Sequence, residues 1–193
     1  MPLMTQTTQT TKIARTTKTT KNKGSPSSLS AASSPRWQLS TPRHRAAIIA
    51  MSQALYVEDP GTKAMSARDI ARTLNTLQRE PVRGRAVVCV SHGDPGSAAG
   101  QGVVVGYALL CSFWSNELHG EVCTIDELFI APSHRSRGLG STLVQGLAQR
   151  ALPCFRRAVA LELEVSPRNL RARALYERLG FVARKNATLR LVR

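Results

Sequence analysis

Apolar and polar positions follow two rhythms along this chain, and the changes of rhythm mark its elements. In "STPRHRAAIIAMSQALY", Ile48, Met51 and Leu55 recur at three and four residues, the spacing of one helix face. Ser40 or Thr41 is placed to cap that helix and Pro42 fits its first turn. The four residues "RWQL" before it read as a short strand, and "EDPG" after it as a loop. Ser66-x-x-Asp69 then opens a second helix with Ile70, Leu74 and Leu77 on one stripe and Pro81 as its stop.

The rhythm next shortens to strands at Ala86–Val90, Val103–Trp114 and Val122–Ile130, joined by the glycine-rich "SHGDPGSAAGQG" and the turn "SNELHG". Leu143, Val144, Leu147 and Ala151 mark a helix that Pro153 ends. Val159–Val165 alternates as a strand, and Asn169–Leu179 is a helix with Gly180 at its C-terminal cap. Phe181–Ala183 and Leu189–Val192 read as two short final strands. The fold class is therefore α/β (mixed α+β), with a mixed sheet.

Charge divides the chain. The net charge is +15, yet residues 1–45 hold eight Lys/Arg and no acid before Glu58. Residues 1–34 carry nine Thr and six Ser and almost no large apolar side chains, too little to offset the entropy of ordering. They are expected to be a disordered basic extension, with residues 35–193 as the folded domain. An inert extension, a nonspecific polyanion-binding arm and a targeting segment stay open as its roles. Cys89, Cys111, Cys123 and Cys154 form no CxxC pair, and three of them sit in apolar runs, which reads as reduced buried thiols in a cytoplasmic protein without a metal site. No stretch approaches the ~20 apolar residues of a membrane helix.

The segment "SHRSRGLGSTL" asks for explanation. Two glycines at a helix start cost about 1 kcal/mol each, so a strand followed by Arg135-x-x-Gly138-x-Gly140 and a helix needs a reason. That arrangement gathers unpaired N–H groups and the positive helix end at one point, an anion site that a phosphate can approach closely. Gly140 is followed by Ser141-Thr142 with no lysine, and position 143 is Leu143 rather than glycine. Walker A and Rossmann loops are thus both disfavoured.

Arg135-x-x-Gly138-x-Gly140 after a strand resembles the pyrophosphate loop of the GNAT superfamily of N-acetyltransferases. "LEVSPRNLRARALYERLGF" is similar to that family's second signature, an Asn with Tyr seven residues on and then Leu-Gly-Phe. The resemblance runs from about Trp37 to the C-terminus. It implies a central, mostly antiparallel twisted sheet of six to seven strands flanked by about four helices, and acetyl transfer from acetyl-CoA to a primary amine of a small molecule or protein. Leu128, Phe129 and Ile130 would pair with the pantetheine arm, in a split between the strands at 122–130 and 159–165. The N–H groups of Ser136, Arg137, Gly138, Leu139, Gly140, Ser141 and Thr142 would hold the pyrophosphate. Arg135 fits the position that contacts phosphate, while Arg137 also reads as solvated. Asn169 matches a residue near the pantetheine, or caps its helix. Members of the family often form dimers, so a homodimer is an expectation too.

Tyr176 matches the family's general acid, and a core aromatic is its plain alternative. The base is open between Glu127, Glu164 and a water chain. Strict alternation puts Glu127 on the strand face of Cys123, Ile125 and Phe129, with Asp126 facing the other way. Glu164 matches the catalytic glutamate of members that acetylate protein amino termini. Glu58, Asp59, Glu117 and Glu121 are candidates to surround a cationic acceptor or to form a solvated rim. Two other classes compete: a non-catalytic acyl-CoA-binding module, and a nucleic-acid-binding protein using its charge. The second lacks an aromatic–basic platform, a recognition-helix pattern and a zinc motif, so no specific nucleic-acid partner is expected.

Overall fold

The structure is a computed structural model that describes residues 34–61, 64–92 and 102–185. Five strands form one sheet in the order β1-β2-β3-β4-β5: β1 (Arg36–Leu39), β2 (Gly84–Ser91), β3 (Val103–Ser115), β4 (Gly120–Ile130) and β5 (Ala160–Leu163). The first four run antiparallel, and β5 joins β4 in parallel. Among the described residues the sheet thus has the expected mixed character, with five strands against the expected six to seven. Phe181–Ala183 forms no strand. The expected strand at Leu189–Val192 lies outside the described residues, as does the extension at 1–34 apart from Ser34.

Helices cover both faces. α1 (Arg45–Glu58) follows a single 3-10 turn at Pro42–His44, and α2 (Ala67–Arg79) starts where Ser66 Oγ accepts from the Asp69 N–H. Ile48, Ile70, Leu74 and Leu77 pack with Val88, Val90, Tyr107, Leu109 and Phe129 on one side of the sheet. α3 (Leu139–Ala148) and α4 (Leu170–Arg178) cover the other side, where Leu143, Val144 and Leu147 meet Val87, Ala108, Leu110, Cys123 and Ile125. The two cores follow from the period-2 alternation of β2 and β3. The Trp37 indole N–H donates to the Leu139 carbonyl at 2.9 Å and ties β1 to the first turn of α3.

Strict alternation fails at one place in β4. Leu109 pairs with Glu127 but Leu110 pairs with Ile125, so Asp126 is an extra residue in the ladder, a β-bulge. The bulge resets the phase. Leu128 packs with Cys123 and Ile125 against α3 and α4, whereas Glu127 and Phe129 turn to the α1 side. The expected face for Glu127 is therefore corrected: it shares Phe129's side and not that of Cys123 and Ile125.

The same bulge explains β5. Its pairing with β4 runs from Val122–Ala160 to Ile125–Leu163 and stops one residue before Asp126. Past Leu163 the chain has no ladder partner, so the strand expected to reach Val165 ends at Leu163.

Candidate active site

Beyond Ile125 the edge of β4 that faced β5 is released, and Leu128, Phe129 and Ile130 line a cleft of about 630 Å³. Its opposite wall is α4, which contributes Asn169, Ala172, Leu175 and Tyr176. The anion loop and the start of α3 close one end.

The loop geometry answers why a glycine stands at position 138. Gly138 caps α3 with φ +76°, a left-handed conformation that L side chains adopt at a cost of about 1–2 kcal/mol. A Cβ there would meet no atom within 4 Å. Gly140 sits where α3 meets α4 and β4, and a Cβ there would lie 3.4 Å from Leu175 and 3.8 Å from Leu128, ordinary van der Waals contact. No side chain caps α3. The first three helical N–H groups, of Leu139, Gly140 and Ser141, cannot bond within the helix, and these residues line the cleft. They form a ready anion site. Thr142 is different: its N–H donates to Gly138 O at 2.9 Å and its Oγ1 to Leu139 O at 2.8 Å, so both donors are spent inside α3.

Arg137 is exposed and stands outside the cleft lining. Ser136 lines the cleft and also takes a positive φ, of 64°. Its Oγ accepts from Arg171 at 2.6 Å, across 35 residues. Asn169 does what a cap does, its Oδ1 accepting from the Ala172 N–H at 3.0 Å, while its side chain also lines the cleft.

Tyr176 sits on α4 with Phe181 edge-on at 5.7 Å between ring centroids. Burial pushes its phenol above the ordinary tyrosine range, so the hydroxyl stays protonated at neutral pH. Glu127 lies on the other side of the sheet. Its Oε2 accepts from Tyr107 Oη at 2.6 Å and Ser52 Oγ at 3.4 Å, and its Oε1 from Tyr56 Oη at 3.0 Å. Ser52 and Tyr56 are one helical turn apart on α1 and so reach the same carboxylate. Burial and the neighbouring Glu127 charge push the Tyr56 phenol up to about 12 and raise that of Tyr107 further. Glu164 is exposed just past β5. Neither glutamate lines the cleft that Tyr176 lines.

Some of these partners escape a reading of the sequence alone. Tyr107 carries a signal: a hydroxyl in the buried run "GYALL" must find a partner. Arg168 and Arg171, which also line the cleft, bracket Asn169 at the start of α4 and could have been picked out from that position. Glu58 carries no such signal, because its partner Arg135 is 77 residues away.

Residues 66–181 match the acetyltransferase (GNAT) family. The chain belongs to that family. A curated relative, the uncharacterized N-acetyltransferase MJ1207 of Methanocaldococcus jannaschii, is 37% identical over 95 residues, which cover 49% of this chain and 37% of the relative's length. Among solved structures, a possible acetyltransferase from Clostridium difficile 630 superposes with TM-score 0.68 at 16% identity, covering 83% of this chain and 98% of that one. A ribosomal-protein-alanine N-acetyltransferase from Brucella melitensis biovar Abortus 2308 gives TM-score 0.62 at 18% identity, with coverage of 82% and 100%. The aminoglycoside N-acetyltransferase AAC(6')-Iy in complex with CoA gives 0.62 at 16%, with coverage of 86% and 99%. At these identities the GNAT fold is what they share with this chain.

Proposed function

We propose that this protein moves an acetyl group from acetyl-CoA to a primary amine of a small molecule or a protein. The observation that carries the reading is the joining, in one cleft, of a released strand edge, a glycine-bounded anion site and a half-buried protonated tyrosine. The residues present fit the donor. The N–H groups of Leu139, Gly140 and Ser141 meet its pyrophosphate, and the backbone of Leu128, Phe129 and Ile130 offers its edge to the amides of the pantetheine arm, apart from the Ile130 carbonyl, which already accepts from Arg135.

The donor supplies an acetyl thioester. As the amine nitrogen bonds to the acetyl carbon and the carbon–sulfur bond breaks, Tyr176 Oη gives its proton to the departing sulfur. The amine's surplus proton goes to a carboxylate, and Glu164 is the better fit. Among the described residues it accepts no hydrogen bond, whereas Glu127 already accepts from three hydroxyls. Glu127 in this reading holds the α1 side of the site in place.

The test is release of CoA thiol from acetyl-CoA in the presence of a panel of amines, polyamines and lysine- or N-terminal-amine peptides, with wild type, Glu164→Gln and Glu127→Gln. Turnover that falls about 100-fold in Glu164→Gln supports the assignment. CoA binding without turnover against every amine would support a non-catalytic acyl-CoA-binding module instead.

A further inference from the structure

Four arginines line the cleft, Arg135, Arg168, Arg171 and Arg178, and the surroundings of the first three differ. Arg135 is already engaged. Its Nε donates to the Ile130 carbonyl at 2.8 Å, and its Nη2 lies 2.8 Å from both carboxylate oxygens of Glu58. Its guanidinium also stacks 5.1 Å from the centre of the Phe129 ring. All three contacts run towards α1 and β4. A guanidinium compensated by a carboxylate at this distance adds little net field to an anion beyond it.

Arg168 and Arg171 stand on the facing wall, at the start of α4. Arg171 bonds the neutral Ser136 hydroxyl, which orients its guanidinium without cancelling its charge. Among the described residues neither Arg168 nor Arg171 forms an ion pair. The three free N–H groups of α3 and these two guanidiniums therefore flank the same space from opposite walls.

We infer that Arg171, assisted by Arg168, supplies the positive charge that holds the donor's phosphates, and that Arg135 is a positioning residue that bolts the end of α1 to the end of β4 through Glu58. This deepens the donor reading above and rests on it. It also departs from what the family resemblance implies for Arg135.

Calorimetric titration of the full chain with CoA tests it, over a range of salt concentrations, for wild type, Arg171→Gln, Arg171→Lys, Arg168→Gln and Arg135→Gln. Arg171→Gln is expected to weaken CoA binding by about tenfold or more, and by clearly more than Arg135→Gln does. Its affinity should also depend less steeply on salt than the wild type's, since one screened charge is gone. Arg171→Lys should recover part of the loss. Pantetheine, which has no phosphate, should bind wild type and Arg171→Gln alike. Unfolding midpoints without ligand establish that each variant is folded, and Arg135→Gln should lower its midpoint most. A larger loss of CoA affinity and salt dependence in Arg135→Gln than in Arg171→Gln would overturn the inference. Failure of the wild type to bind CoA at all would instead overturn the donor reading, before any variant is compared.

Discussion

Tyr107, a residue with no exposed surface, donates its hydroxyl to Glu127 at 2.6 Å from a neighbouring strand. The contact exists because Asp126 bulges out of the β4 ladder and sets Glu127 on the α1 face. A charged acceptor and a buried donor then satisfy each other, with Tyr56 and Ser52 completing the set. Breaking the pair from either side has unequal costs. Glu127→Ala takes the charged acceptor from the Tyr107 hydroxyl, leaving it only Ser52, and should destabilise the protein by about 1–3 kcal/mol. Tyr107→Phe removes one of three donors and should cost less. Urea unfolding of both variants and the double mutant checks this: the double should lose less than the two singles summed. Strict additivity would mean that the contact carries no coupling energy.

Tyr176 separates chemistry from stability. Its ring packs on Phe181 and the α3–α4 core, but its hydroxyl bonds no side chain among the described residues. Tyr176→Phe keeps the packing and removes only the proton. Turnover should fall by about 100-fold or more while the unfolding midpoint stays close to that of wild type. A comparable fall in stability would instead mark Tyr176 as a core residue.

Local patterns carried most of this fold. The spacing of Ile48, Met51 and Leu55, the cap at Ser66 and the Asn169–Gly180 segment each depend on residues within a few turns, and each gave its helix. The Gly138-x-Gly140 spacing likewise placed the left-handed turn between β4 and α3, since backbone conformation there is dictated locally. What escaped depends on partners far along the chain. The bulge at Asp126 is defined only by Leu109 and Leu110 on β3, so alternation in β4 alone put Glu127 with Cys123 and Ile125. The early end of β5 follows from the same bulge. The sequence makes Glu58 a candidate for the acceptor, whereas its carboxylate pairs with Arg135 at the anion-loop end of the cleft.

Gly138 tests whether the loop is there for ligand or for fold. Its φ of +76° resists any side chain, yet a Cβ would strike nothing. Gly138→Ala should therefore cost about 1 kcal/mol of stability through the backbone alone. Donor binding should suffer more than that, because the methyl group enters the space beside the free N–H groups of α3. Comparing the KM for acetyl-CoA with the unfolding free energy separates the two effects. A KM unchanged from wild type would mean that phosphate does not approach Gly138.

Alkaline stability follows from the buried thiols and phenols. Burial pushes Cys89 and Cys123 up to about 12, and Tyr56 reaches about 12 through burial and the charge of Glu127. In the unfolded chain these groups return to ordinary values, near 8.5 for thiols and 10 for phenols. Between those values and the folded ones, the unfolded state has released protons that the folded state still holds, so unfolding gains free energy as pH rises. Stability should be level below about pH 8, fall first as unfolded thiols ionise, and fall more steeply above about pH 10 as the phenols join. Urea midpoints measured from pH 7 to 11 give the curve. Replacing Cys89 and Cys123 together with alanine should shrink the first part of the decline, to which Cys111 and Cys154 still contribute because burial raises them too, and leave the tyrosine part. A decline of unchanged shape in that variant would place its origin in groups other than these thiols.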